Sequence, residues 1–368
     1  MALRIDEVFL QLVRLGVGCE AVPGSTFQVS GPLPVEDWQA LEALANEQGL
    51  LGVMLDGVDK LPREWRPEKK AIIQSIGQLI QSEQQYAVQE HAAAEMALLL
   101  HQHGIRTYVL KGTVVAECYP RPEHRKSVDM DCFLMSEKDD SDVWEKANCL
   151  MERQGFEVRR DYYKNSTIVM PGLSVENHRY FTPFRGNIIL NRLERFLQEE
   201  MRRSKGSIAD LRFEGTWLYR PPVMVSALFL IEHASSHFLH EGLTWRLVLD
   251  WQMFCRKHRQ DIDWKELEAR VDEFGFRRFY DAYHRLGQYL IGEVQEFKSL
   301  SVQDRRMLED IWAPLDVHET VTGLMGKLAL AGNTWRARWK YRLFTDMSWL
   351  RALWIQARGV LFEREVRL

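Results

Sequence analysis

Two aspartates separated by one residue, Asp129-Met130-Asp131, lie in an otherwise apolar stretch, with Val128 before it and Cys132-Phe133-Leu134 after it. On a β-strand side chains alternate, so residues i and i+2 face the same way. On a helix the same pair is about 200° apart and does not converge. The flanking residues favour the strand. Converging carboxylates in an apolar strand repel each other unless a cation neutralises them. Hard oxygen donors, one or two at a time, with room left for phosphate oxygens, are what Mg²⁺ or Mn²⁺ uses. A third acid, Glu176, ends another short apolar stretch, Leu173-Ser174-Val175-Glu176. A third carboxylate completes a cation site and orients or deprotonates an attacking hydroxyl. The bland readings are a solvated edge-strand pair for the aspartates and a surface glutamate for Glu176.

The segment upstream is consistent with phosphate chemistry. Thr107-Tyr108-Val109-Leu110 reads as a short buried strand that ends at Lys111-Gly112-Thr113, and Val114 to Cys118 reads as a helical turn. A glycine where a strand gives way to a helix lets backbone N–H groups approach an anion, and the helix end adds a favourable dipole. Thr113 offers a hydroxyl. Lys111 and Arg125 are candidate phosphate cations, Lys as a point charge and Arg as a bidentate fork. Their bland readings are a strand-end lysine and an ordinary loop arginine.

The run from Val109 to Leu134, VLKGTVVAECYPRPEHRKSVDMDCFL, resembles the uncharacterised nucleotidyltransferase family of the polymerase-beta-like superfamily. The family pattern is an LKG strand end, a short helix, Tyr-Pro, an Arg, and Asp-hydrophobic-Asp. Leu110, Lys111, Gly112, Tyr119, Pro120, Arg125, Asp129 and Asp131 match it. Glu176-Asn177-His178 resembles a later strand of the family, and His233, His237, Arg246 and Asp250 resemble its C-terminal half. The resemblance spans most of the chain but is sharp only from 109 to 134. The superfamily has Ser or Gly where this chain has Thr113, and the gap from Thr113 to Asp129 is longer than in its minimal members. It implies an NTP substrate, a divalent metal on Asp129, Asp131 and Glu176, and transfer of a nucleoside monophosphate to a hydroxyl.

With 368 residues the chain is long enough for two or three subdomains. Its net charge of −4 supplies no global basic field, which argues against long nucleic acid as a partner. Five scattered cysteines (Cys19, Cys118, Cys132, Cys149 and Cys255) form no close pair and read as reduced. There is no signal-like N-terminus and no stretch as long as a membrane span, so the expected location is cytoplasmic.

The expected fold is α+β: a small mixed-sheet nucleotidyltransferase core flanked by N-terminal helices and a C-terminal helical bundle. Residues 1–104 form the helical region, 105–190 the α/β core, and 191–368 the C-terminal helical domain. A long helix is expected from Glu68 to His103, with an apolar stripe from Ile72, Ile76 and Leu79/Ile80 through Ala97 and Leu100, and with Gly104 ending it. Strands are expected near 106–111, 129–135, 156–160, 166–170 and 174–180, and a helix over 138–153. Phe181 to Asn191 is a loop or a further strand.

His233, His237 and His240 share one helical face at i, i+4 and i+7. That spacing invites zinc, but there is no H-E-x-x-H order and no nearby cysteine. The preferred reading is that His233, His237 and Asp250, with Arg246 on the same helices, line or buttress an acceptor cleft facing the acids, with His178 supporting and not catalysing; the bland reading is an internal His–Asp and Arg–Asp network that only fixes the bundle. Trp335 to Leu368 is basic and aromatic, and reads as a packed C-terminal segment before it reads as a surface for a membrane, an acidic protein or RNA. The functional expectation is metal-dependent transfer of a nucleoside monophosphate from an NTP to a hydroxyl of a sugar, metabolite or protein. The alternative is a non-catalytic nucleotide-binding or scaffold protein that keeps the fold.

Overall fold

The computed structural model describes residues 5–19, 33–136, 142–160, 163–183, 187–204, 212–293, 300–312 and 335–354. Helices α1 (Ile5–Gly16), α2 (Val35–Glu47) and α3 (Leu51–Asp59) pack against one another. α1 and α3 cross at glycines: a Cβ on Gly16 would fall 2.0 Å from the Val53 carbonyl oxygen, and one on Gly57 1.9 Å from that of Leu12. No side chain fits there, so the backbones touch.

α4 (Lys69–Gln102) is the long helix the sequence predicts, about 50 Å at 1.5 Å per residue. Gly104, at φ 72°, ends it. Its buried residues lie mostly in the C-terminal half, Gln89, Ala92, Ala93, Met96, Ala97 and Leu100. The alanines let it approach the sheet closely. The expected stripe does not hold in the N-terminal half, where Ile76 and Ile80 are exposed. A helix this long outruns the sheet it covers, so periodicity alone does not bury its far end.

Six strands form one sheet: β1 (Ile105–Val109), β2 (Asp129–Ser136), β3 (Glu157–Arg159), β4 (Asn165–Met170), β5 (Leu173–His178) and β6 (Leu218–Tyr219), in the order β3-β4-β5-β2-β1-β6. β2 runs parallel to β5 and antiparallel to β1, and β6 lies parallel to β1. This is the expected α+β class, and five strands fall within a residue or two of their expected places. β6 was not expected; two residues carry no periodicity. Helices α5 (Thr113–Ala116) and α6 (Val143–Arg153) connect the strands. Residues 137–141, the start of the expected 138–153 helix, lie outside the described residues. Within Phe181–Asn191 the described residues contain no strand; α7 (Ile188–Arg203) begins there, capped by the Asn187 side chain, which accepts from the Ile189 and Leu190 amides.

Alternation gives the sheet two unlike faces. Cys132, Val175, Asn177, Ser166 and Ile168 are buried, under α6 and α4. Asn148 of α6 accepts from Ser166 Oγ (2.8 Å) and Asn177 Nδ2 (3.0 Å), and Trp144 Nε1 donates to the Asn177 carbonyl. Asp129, Asp131, Glu176 and His178 belong to the opposite face. Helix α8 (Val223–His240), opened by Pro221-Pro222, crosses that side: its Phe229 meets His178 and Phe181, and Phe181 stacks on Phe133 at 4.4 Å. Helices α9 (Trp245–Lys257), α10 (Trp264–Glu273), α11 (Arg277–Ile291), α12 (Val302–Trp312) and α13 (Arg338–Phe344) follow. Among the described residues no helix is long and apolar enough to cross a membrane. In α13, buried Lys340 donates to Asp310 (2.7 Å) and to the Phe238 carbonyl (2.7 Å), so this basic residue is used internally.

His124 ties the N-terminal helices to the turn before β2. Its Nδ1 lies 2.8 Å from Asp56 of α3 and its Nε2 2.9 Å from Glu83 of α4. Burial opposes its charge, but the two carboxylate bonds outweigh burial and raise its pKa. A raised folded-state pKa gives stability that is fully present below the unfolded value of about 6.5 and is lost as pH rises through the folded value. The unfolding free-energy difference between the protein and His124→Gln is therefore expected to be largest near pH 6 and to shrink at higher pH. A difference that is flat with pH in denaturant titrations would refute this.

Candidate functional site

The β2–β5 register sets Asp131 directly opposite Glu176, Asp129 opposite Ser174 and Phe133 opposite His178. Asp131 and Glu176 thus face the same way on adjacent strands. His178 Nε2 donates to Asp131 Oδ1 at 2.9 Å and lies 3.6 Å from Glu176 Oε2. Its Nδ1 lies 3.2 Å from the Tyr180 carbonyl. Both ring nitrogens face acceptors, an arrangement that favours the charged ring. Burial and nearby Lys164 oppose that charge, and the bonds to Asp131 and Glu176 outweigh them.

Among the described residues, ligand atoms of Asp131, Glu176 and His178 lie within 4.8 Å of one another. Asp131 Oδ2 is buried and has no hydrogen-bond partner among the described residues; Lys111 Nζ is 3.9 Å away. An orphaned buried carboxylate oxygen costs about 1–3 kcal/mol unless something compensates it. Burial by itself would raise the Asp131 carboxyl, but Lys111 and His178 hold it well below the usual carboxylate range. The group is an anion with a free oxygen. Glu176, whose side chain is 37 % exposed, accepts from Asn165 Nδ2 at 2.8 Å. Two carboxylates and one orphaned oxygen fit a divalent cation.

Asp129 stands two residues back on the same face and is not one of the three groups that come together. Burial, and then Asp131, raise its pKa. It borders a water-sized cavity of about 10 Å³ with Gly112, Thr113 and Ser127, closed on the far side by Tyr86, Gln89 and Glu90 of α4. Gly112 has φ 90° and ψ −115°, a conformation essentially restricted to glycine, and a Cβ there would stand 3.4 Å from the Asp129 carbonyl oxygen. Thr113 opens α5 as expected, although at four residues the helix has a small dipole.

Lys111 Nζ donates to His233 Nε2 at 2.9 Å. Burial, then Lys111, hold His233 well below the usual imidazole value, so it is neutral and accepts. This contact brings α8 to the acids. The other residues expected in a cleft are placed differently. His237 keeps its ring 4.5 Å from that of His233 while its Nδ1 bonds Glu241 (2.8 Å), and His240 Nδ1 bonds the Ser236 carbonyl. Arg246 Nη1 donates to the Lys126 carbonyl and is electrostatically linked to Asp129.

Arg125 departs from its expected place. Its Nε and Nη2 donate to Asp250 at 2.7 and 2.8 Å, Tyr119 donates to the same carboxylate at 2.7 Å, and all three residues are buried. A guanidinium committed in this way fixes the loop before β2 and leaves no fork for phosphate. The carboxylate that takes it lies 125 residues downstream, so local sequence carries no sign of the pair. Asn165 was also missed: only the β4–β5 hairpin brings it to Glu176.

The family model described as uncharacterised nucleotidyltransferase matches residues 34–292, which include every residue of this site. No curated protein and no solved structure matches the chain.

Proposed function

Since the chain belongs to the family of uncharacterised nucleotidyltransferases, we propose that it moves a nucleoside monophosphate from an NTP to a hydroxyl acceptor at the acids of β2 and β5. The observation that supports this most is the pair of buried Asp131 and half-exposed Glu176, in register on parallel strands, with Asp131 Oδ2 orphaned. Asp129, Asp131 and Glu176 are the groups proposed to hold the cation, Mg²⁺ or Mn²⁺. When bound, it would neutralise phosphate charge and polarise the α-phosphate.

The chain's own residues do the positioning. His178 fixes Asp131. The Gly112-Thr113 turn presents backbone N–H groups and a hydroxyl beside Asp129, and Lys111, held by neutral His233, supplies positive charge to the phosphates. Glu176, more open than Asp131, takes the acceptor's proton. The acceptor oxygen bonds to the α-phosphorus as the bond to the bridging oxygen breaks, and pyrophosphate leaves. Such transfer depends on positioning and charge neutralisation, with no covalent nucleophile.

The reading is tested by following pyrophosphate release from each of the four NTPs, with Mg²⁺ or Mn²⁺ and a small-molecule extract as the acceptor source. Metal-dependent release is expected. NTP binding without release under any of these conditions would instead identify a binding protein that keeps the fold.

A further inference from the structure

A second cavity, of about 310 Å³, opens between Tyr180 and α7. Tyr180 lies two residues beyond His178, and its carbonyl accepts from His178 Nδ1. At about 3.3 Å per residue for extended chain, Glu176 and Tyr180 are at most about 13 Å apart, a span one small molecule can bridge.

The charges around this cavity are unevenly satisfied. Of its two carboxylates, Glu194 accepts from the Thr182 amide and hydroxyl and from Gln198, and Glu199 pairs with Arg203. The cations lack such partners. Arg202 donates only to the neutral Gln198 amide, at 3.1 Å. Arg195 has no hydrogen bond or ion pair among the described residues. Lys164 abuts Tyr180, since its carbonyl accepts from the Arg179 and Tyr180 amides at 2.7 and 3.1 Å. Its ammonium likewise has no bonded partner among the described residues.

Two arginines without carboxylate partners among the described residues thus line the cavity with Tyr180, while the Lys164 ammonium acts on His178 and Glu232 nearer the acid cluster. Arginine forks suit phosphate and carboxylate, and a tyrosine ring offers a flat apolar wall. We infer that this cavity is the acceptor subsite, and that the hydroxyl compound it takes carries a phosphate or carboxylate group, held by Arg195 and Arg202 with its hydroxyl towards Glu176. The inference rests on the transfer reading above. The competing account is an ordinary solvated helix face.

The test is titration with inorganic phosphate, and separately with acetate, followed by amide chemical shifts at Tyr180 and along α7. The proteins are the native chain, Arg195→Gln/Arg202→Gln and Asp131→Asn. Arg195 makes no bond and Arg202 one weak one, so the double variant folds; its melting temperature checks this. Saturable shifts with at least one anion are expected in the native chain, with affinity at least about tenfold weaker in the double variant, the scale of losing charge-assisted hydrogen bonds. Binding in Asp131→Asn should be unchanged. No saturable response to either anion, or equal affinity in the double variant, overturns the site. In turnover, the double variant should raise the acceptor KM and leave the NTP KM unchanged; an unchanged acceptor KM overturns the acceptor role. If the anion binds but the native chain turns over no NTP, it is the transfer reading that has failed.

Discussion

Replacing Asp131 with Asn is expected to lower NTP turnover by on the order of 10³-fold, the scale seen when one preorganised charge-stabilising group is removed. Asn keeps the volume and the hydrogen-bonding oxygen but withdraws the charge at the centre of the cluster. The fold should survive. The attraction of Lys111 and His178 outweighs burial at this carboxyl, so some stability is lost with the charge, but Asn still accepts from His178 and turnover is counted per folded molecule. Turnover per folded molecule and melting temperature should therefore separate. A variant that keeps a tenth or more of the activity would remove Asp131 from the mechanism.

Asp250→Ala is expected to do the reverse, costing stability first. It leaves the Arg125 guanidinium and the Tyr119 hydroxyl buried without their acceptor. Removing one partner of a buried ion pair typically costs about 3–5 kcal/mol, because the other charge stays uncompensated. Denaturant unfolding should show that loss, and Arg125→Met/Asp250→Leu should recover most of it. A loss no larger than the roughly 1 kcal/mol of an exposed pair would contradict the burial argument. Activity should fall only as the loop between Gly112 and Asp129 loosens.

The parts of this protein that were legible in the sequence are those set by local pattern. The i, i+2 aspartates in an apolar run fixed β2 and its acidic face. Gly104, Pro221 and Pro222 marked helix ends correctly because their backbone preferences are local. Glu176 could be proposed as a partner of Asp131, but that the two are register neighbours follows from parallel pairing of strands more than 30 residues apart. Where long-range contacts decide, local chemistry misled. Arg125 has the residue type for phosphate, yet Asp250 occupies its fork. His178, expected in a supporting role, hydrogen-bonds Asp131 directly. The exposed isoleucines of α4 show the same limit in the core: periodicity states which face is apolar, and only tertiary structure states how much of it is covered.

The central claim is that the acids of β2 and β5 form a divalent-cation site. Mn²⁺ binding followed by electron paramagnetic resonance addresses it directly, because the free aqua ion loses its signal when it binds. The account predicts a single saturable Mn²⁺ site in the native chain that is strengthened by NTP and lost in Asp131→Asn. An undiminished free-ion signal with the native chain, or the same binding in Asp131→Asn, would contradict it.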